Sequence, residues 1–243
     1  MLPHDAAFQI LANGPISATT PPCSSSVGPI DEFAEEPVSC AIVRDRSNVA
    51  LIQCLDALLY DEERLAQVAK QSYRHQLGFM KFVLLTTEDG GSVRLHHWDE
   101  SDAKPEDVHS HCAHFQSRVV LGRLSESSYA LVVGESHCLY RYRFDELAGQ
   151  SVAAACGVAS PMLRGRRLLN GGDIYRKSAS DLHNVSEAEI GTITVSTWGR
   201  RHREALVLKP CGTSTESCVA SAGMTISAAR VALQDIRKRL ARQ

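Results

Sequence analysis

The sequence predicts an all-β-dominated fold, an antiparallel barrel or sandwich with helical segments on its N- and C-terminal sides. Three observations predict it. From about residue 79 to 210, short strand-like runs alternate with turn signals. Ahead of them lies an apolar stripe at helical spacing, and after them a run from about Ile226 to Leu240 takes that spacing again. With 243 residues, 44% hydrophobic and 22% charged, the chain is long enough for one buried core with appended helices.

Residues 1–46 are rich in Pro, Ser, Thr and acidic residues without a helical or strand period, and are expected to form a flexible or irregular arm. Residues 47–78 are expected to be helical and to cover one side of the main body. Ser47 is the expected N-cap, and Val49, Leu51, Ile52, Leu55, Leu58 and Leu59 form the apolar stripe. Asp61, Glu62 and Glu63 open a second helix carrying Leu65, Val68 and Ala69, because acidic side chains suit a helix N-terminus. The barrel segment opens with strands at Phe79 to Thr86 and Ser92 to Trp98, joined by the hairpin signal Glu88-Asp89-Gly90-Gly91. Further strands are expected at His114 to Leu124, Ser128 to Val133, Cys138 to Phe144, Gly191 to Trp198 and Glu204 to Lys209. Residues 211–243 form a C-terminal helical segment whose Arg237, Lys238 and Arg239 suit a helix C-terminus.

A formal net charge of -2 gives no electrostatic case for nucleic acid or an anionic membrane as partner. No stretch approaches the roughly 20 apolar residues of a spanning helix. No basic segment followed by an apolar run opens the sequence, so a cytoplasmic location is expected. The eight cysteines are scattered without a C-x-x-C pair, a pattern of reduced thiols rather than of a disulfide framework.

The histidines carry the chemistry. Five fall within nineteen residues: His96, His97, His109, His111 and His114. In His109-Ser110-His111, side chains two apart on an extended strand point to the same face, so both imidazoles reach one cation from one side. His183, 72 residues after His111, is the candidate third ligand.

This spacing resembles that of the cupin superfamily. The first cupin motif places a glutamate shortly after an H-x-H pair and a glycine seven residues later. Here Phe115 occupies the glutamate position and Gly122 the closing glycine. The second motif's glycine and histidine match Gly172 and His183, eleven residues apart. Ser178, Ser180 and Glu187 replace that motif's proline, second glycine and asparagine, and the first motif's leading glycine is absent. The resemblance covers roughly residues 79 to 209 and implies a cupin-type antiparallel β-barrel or jelly roll with N-terminal helices and a C-terminal helix.

Within that superfamily, a three-histidine site without the carboxylate is similar to that of thiol dioxygenases such as cysteine dioxygenase. The strand Val93 to Trp98 ahead of the histidine pair, and Ser196 thirteen residues after His183, fit the same likeness. The histidine and tyrosine that follow the serine in that family are replaced by Trp198 and Arg200. Its carboxylate-binding arginine has no clear counterpart, and Lys81 is the nearest cation in sequence.

The resemblance implies Fe(II), with Zn(II) or another divalent transition metal as the alternative. It implies a metal-dependent dioxygenase acting with O2 on a small polar metabolite, thiol or amino-acid-like. The alternatives are a zinc-dependent non-redox enzyme and a non-catalytic small-ligand-binding protein. Around the metal the candidate supporting or substrate-contacting residues are His97, His114, Gln116, Arg123, Tyr142, Tyr175 and Ser196. Strand parity turns His114 and Arg118 outward, and leaves open whether Tyr140 and Tyr142 or Arg141 and Arg143 face the pocket. The helical flanks are candidates for a homodimer interface.

Overall fold

The computed structural model describes residues 38–75, 78–99, 106–145, 150–213 and 223–242. Residues 1–37, most of the expected arm, lie outside the described residues. Inside the stretch expected to be irregular lies a first helix, α1 (Val38–Arg44), which buries Ile42 and Val43. It is followed by α2 (Val49–Tyr60) and α3 (Glu62–Gln71), with α4 (Ile226–Leu240) near the end of the chain.

Helix caps follow from local chemistry. Asp61 accepts from the amides of Glu63 and Arg64 to start α3, and Thr225 accepts from Ala228 N to start α4. The N-cap of α2 is Asn48 in a left-handed conformation (φ 64°), not Ser47. Asp45 supplies the missing acceptor there, taking the Ala50 amide at 2.7 Å.

The strands are β1 (Tyr73–Arg74), β2 (Met80–Thr86), β3 (Ser92–Trp98), β4 (Val108–His109), β5 (Phe115–Leu121), β6 (Arg123–Asp145), β7 (Gln150–Asn170), β8 (Ile174–Lys177), β9 (Leu182–Ala188), β10 (Thr192–Trp198) and β11 (Ala205–Pro210). They form two antiparallel sheets. The first runs β1-β2-β3-β10-β5-β8; the second runs β11-β4-β9-β6-β7, with β11 also pairing β6. Lettered in chain order from β3 as B to β10 as I, the central strands read B-I-D-G in one sheet and C-H-E-F in the other. That interleaving is the jelly-roll order.

The first sheet has two very different faces. Outward, Phe82, Leu84, Val93, Leu95, Val120, Ile193 and Val195 pack under Leu51, Leu55, Leu65, Leu233 and Ile236 of the helices. Burial of this apolar face accounts for the helical layer, at about 25 cal/mol per Å² removed from water. Arg118 also faces this side. It has the outward parity expected of it, yet it is fully buried, donating to Asn48 Oδ1 (2.7 Å) and the Ile42 carbonyl (3.3 Å) under α1. Inward, Phe115, Val119, Trp98, Trp198 and Tyr175 meet Leu124, Leu169 and Val185 of the second sheet.

Two strand expectations change. The runs at 128–133 and 138–144 belong to one 23-residue strand, β6, paired with β7 on both sides of an irregularity between Val132 and His137. Strands β7, β8 and β9 had no strand signal in sequence: β7 carries Ala153-Ala154-Ala155, Gly157, Pro161 and Gly165, and its pairing to β6 sets its conformation.

Candidate metal centre

Strand pairing brings the three predicted ligands together. His109 on β4 lies directly opposite His183 on β9, so both rings leave the same face of the second sheet. His111 follows β4 in a loop fixed by backbone bonds, Ser110 N to Leu206 O (2.7 Å) and His111 N to Ala179 O (3.1 Å). The donor nitrogens of His109, His111 and His183 all lie within 4.8 Å of one another. The ring centroids of the three are 4.7 to 4.9 Å apart.

The donor chemistry fits a divalent transition metal. His111 Nε2 and His183 Nε2 face each other at 2.7 Å. His109 Nδ1 donates to the Asp107 carbonyl at 2.8 Å, which leaves its Nε2 lone pair for a metal. Burial pushes His111 well below the ordinary histidine range, helped by its neighbours His109 and His183. Burial takes His183 down to about 4, partly opposed by Glu126. Both rings are therefore neutral at pH 7, the state a metal ligand needs. A divalent ion held here would be ligated by one ring nitrogen from each of the three histidines.

Around the cluster, Phe115 takes the place of the motif's glutamate and supplies no ligand. Its ring stacks on Trp198 (4.4 Å) and meets His111 edge-on (4.8 Å), an apolar wall on one side of the site. Ser196 accepts from Trp198 Nε1 at 2.8 Å and so fixes that ring. Tyr175 is buried on the inner face opposite Ser117, and burial pushes its hydroxyl up to about 12. Tyr140 pairs with Val207, which pairs with His109, so Tyr140 and Tyr142 leave the same face of the second sheet as His109; Arg141 and Arg143 leave the other.

Four predicted neighbours are placed elsewhere. His97 shares the parity of Val93 and Leu95 and faces the helical layer, where Asp235 and Arg239 of α4 act on it; the inward position belongs to His96. His114 is exposed at the rim, accepting from Ala179 N and stacked on His202. Gln116 has the outward parity of Arg118 and accepts from Arg176 (3.1 Å). Arg123 is exposed and pairs with Glu189 (3.2 Å).

Further residues complete the site: Lys81, noted in the sequence only as the nearest cation, and others that the sequence pattern does not single out. Lys81 is opposite His96, and Arg94 is opposite Ser196, so both enter the interior from the first sheet. Arg94 lies over the Trp198 ring (4.2 Å), which also meets His111 (4.9 Å) besides Phe115. Lys81 donates to the Tyr73 hydroxyl at 3.1 Å. Burial lowers Lys81 well below its ordinary range, with Arg94 adding repulsion, and takes Arg94 to about 10. His75, held near 3 by burial and then by Lys81, stacks on Phe79.

Two acids also approach. Glu106 is pushed up by burial and accepts from Val185 N (2.9 Å). Glu126, fully buried on β6, touches His183, Lys177 and Arg167. The sequence pattern ends one strand at Leu124 and opens the next at Ser128, which leaves Glu126 in the gap, whereas the continuous strand β6 gives it the inward parity of Leu124.

No protein-family model and no curated protein matches the chain. Solved structures with which it aligns include KdgF from Halomonas sp., 15% identical with a TM-score of 0.32, covering 54% of this chain and 88% of that one. Hydroquinone 1,2-dioxygenase from Sphingomonas sp. aligns at 13% identity and TM-score 0.32, over 50% of this chain and 65% of that one. An RmlC-like cupin from Shewanella frigidimarina aligns at 14% and 0.25, over 54% and 83%. The fold is a jelly roll, as the strand order shows. No helix among the described residues is long and apolar enough to cross a membrane.

Proposed function

We propose that this chain is a metal-dependent cupin enzyme, an oxygenase of the non-haem Fe(II) kind that acts with O2 on a small polar metabolite. The observation that carries the reading is the convergence of His109, His111 and His183 on one point inside the barrel, with His111 and His183 neutral. Iron(II) held by three imidazoles supplies redox chemistry and keeps coordination positions open for a substrate atom and O2.

The chain's own residues define what enters. Lys81 and Arg94 bring an amine and a guanidinium to the interior, and neither forms an ion pair with a carboxylate among the described residues. Such groups are suited to an anionic end of the substrate, with Arg94 offering its planar fork. The thiol or amino-acid-like class fits that arrangement, one end at the metal and a carboxylate at Lys81 and Arg94. Phe115 and Trp198 wall off water beside His111, and Ser196 keeps Trp198 in place.

The test is metal analysis of protein purified without oxygen, followed by O2 uptake with small thiol carboxylates. Stoichiometric iron with substrate-triggered O2 consumption is expected. Arg94→Met should raise KM about tenfold while metal content stays unchanged, the loss of one hydrogen-bonded charge contact. Bound zinc without O2 uptake would replace this reading by a non-redox zinc enzyme. Bound metal without turnover of any substrate would leave a ligand-binding protein.

A further inference from the structure

Glu126 lies outside the sequence motifs, yet it is the most completely enclosed carboxylate contact of the site. Its side chain has no exposure, and Oε1 lies 3.2 Å from His183 Nδ1. Both atoms are buried and neither makes a hydrogen bond of regular geometry among the described residues, so two groups unsatisfied by regular hydrogen bonds face each other at ion-pair distance. The same Oε1 also takes the Lys177 ammonium, itself buried, and the other oxygen, Oε2, accepts from Arg167 Nε at 2.6 Å. Lys177 also donates to Ser128 Oγ (3.2 Å), and Ser128 lies opposite His183 across the β6–β9 pairing.

From this geometry we infer that Glu126 is a positioning residue. It holds the proton of His183 on Nδ1, so that Nε2 presents its lone pair to the metal, and it fixes the plane of the ring. A neutral imidazole carries one proton on one of two nitrogens, and the partner of one nitrogen decides which. A carboxylate behind the ring both orients it and raises its donor strength toward a cation. Lys177 and Arg167 in turn fix Glu126, since a buried carboxylate with a single neutral partner would be costly. The three ligands are thereby supported unequally. His109 has a backbone carbonyl behind it, whereas His183 has an anion backed by two cations.

The inference rests on the metal reading for His183, but its test separates the two. In the full-length chain without metal, ¹⁵N-detected NMR of the His183 ring should show the tautomer protonated at Nδ1. Glu126→Leu should redistribute the proton between the two nitrogens, and Glu126→Gln should do so in part. Titration with Co(II), followed by its visible absorption, should give an affinity about 10-fold weaker for Glu126→Gln and about 100-fold weaker for Glu126→Leu. A wild-type ring protonated at Nε2 overturns the inference without recourse to any variant that fails to fold. Unchanged Co(II) affinity in folded Glu126→Gln and Glu126→Leu overturns it as well and leaves the metal site standing. A wild-type chain that takes up no Co(II) but shows the Nδ1 tautomer overturns the metal reading and supports the positioning role.

Discussion

The inner face of the first sheet and the long β6–β7 hairpin are both antiparallel β structure, yet they serve opposite ends. The first sheet is short-stranded and enclosed between a helical layer and the second sheet, and its inner face collects Lys81, Arg94, His96, Ser196 and Trp198. The hairpin pairs 19 residue couples, but much of its length is exposed, with Leu131, Val132, Val133, Met162 and Leu163 open to solvent. Hydrogen-bonded pairing sets the backbone in both. Enclosure alone changes the chemistry, because desolvation shifts the titratable groups of the first region and strengthens each of their contacts. Glu126 shows the boundary: it belongs to the hairpin strand β6, but at the point where that strand enters the enclosed region.

Four experiments break or sharpen that contrast, in descending order of effect. His183→Ala removes a ligand from the enclosed cluster. Metal content measured by mass spectrometry should fall to background, with the circular dichroism spectrum retained. Full metal occupancy in that variant would mean the cluster is not the binding site. Leu95→Ala empties a fully buried position under the helices and should cost about 2–5 kcal/mol in urea denaturation. A loss under about 1 kcal/mol would show that the helical layer is not tightly packed on the sheet.

Acid should act on the enclosed region first. His183 and His75 are lowered from 6.5 to about 4 and about 3, so the unfolded chain binds protons that the folded chain refuses. Their contribution is complete above pH 6.5 and is lost as pH falls through those lowered values. Glu126 has the same sign. Burial raises it, but the contacts with His183, Lys177 and Arg167 outweigh burial and hold it near 2, so its share is lost between about 4.5 and 2. The urea midpoint should fall steadily from pH 6.5 to 4, and a flat midpoint over that range would contradict the enclosure of these rings. The smallest effect belongs to the hairpin: Val133→Ser, at a fully exposed position, should change stability by no more than about 0.5 kcal/mol.

How much was legible in the sequence varied by element. The hairpin of β2 and β3, the helix opened by Asp61 and the C-terminal helix were all readable, since apolar period and cap chemistry are local. Strand β7 was not, because its alanines, glycines and proline carry no strand preference and only the pairing with β6 holds them extended. At the site, the H-x-H spacing and the distant histidine named three residues that the fold does bring together. The adjacent pair His96 and His97 could not be resolved, because parity fixes alternation but not which parity faces inward. Packing of Val93 and Leu95 under the helices decided it, turning His96 in and His97 out.

By itself, then, the sequence determined where the chain runs extended, where it coils into most of its helices, and which side chains share a strand face. Those properties depend on neighbours a few positions away. Only the tertiary structure decided that Glu126 stands behind His183, that Lys81 and Arg94 enter the interior beside His111, and that Arg118 is sealed under α1. Each of those contacts joins residues far apart in the chain. Their proximity follows from strand order and register, which side-chain packing across the whole molecule selects and no local pattern records.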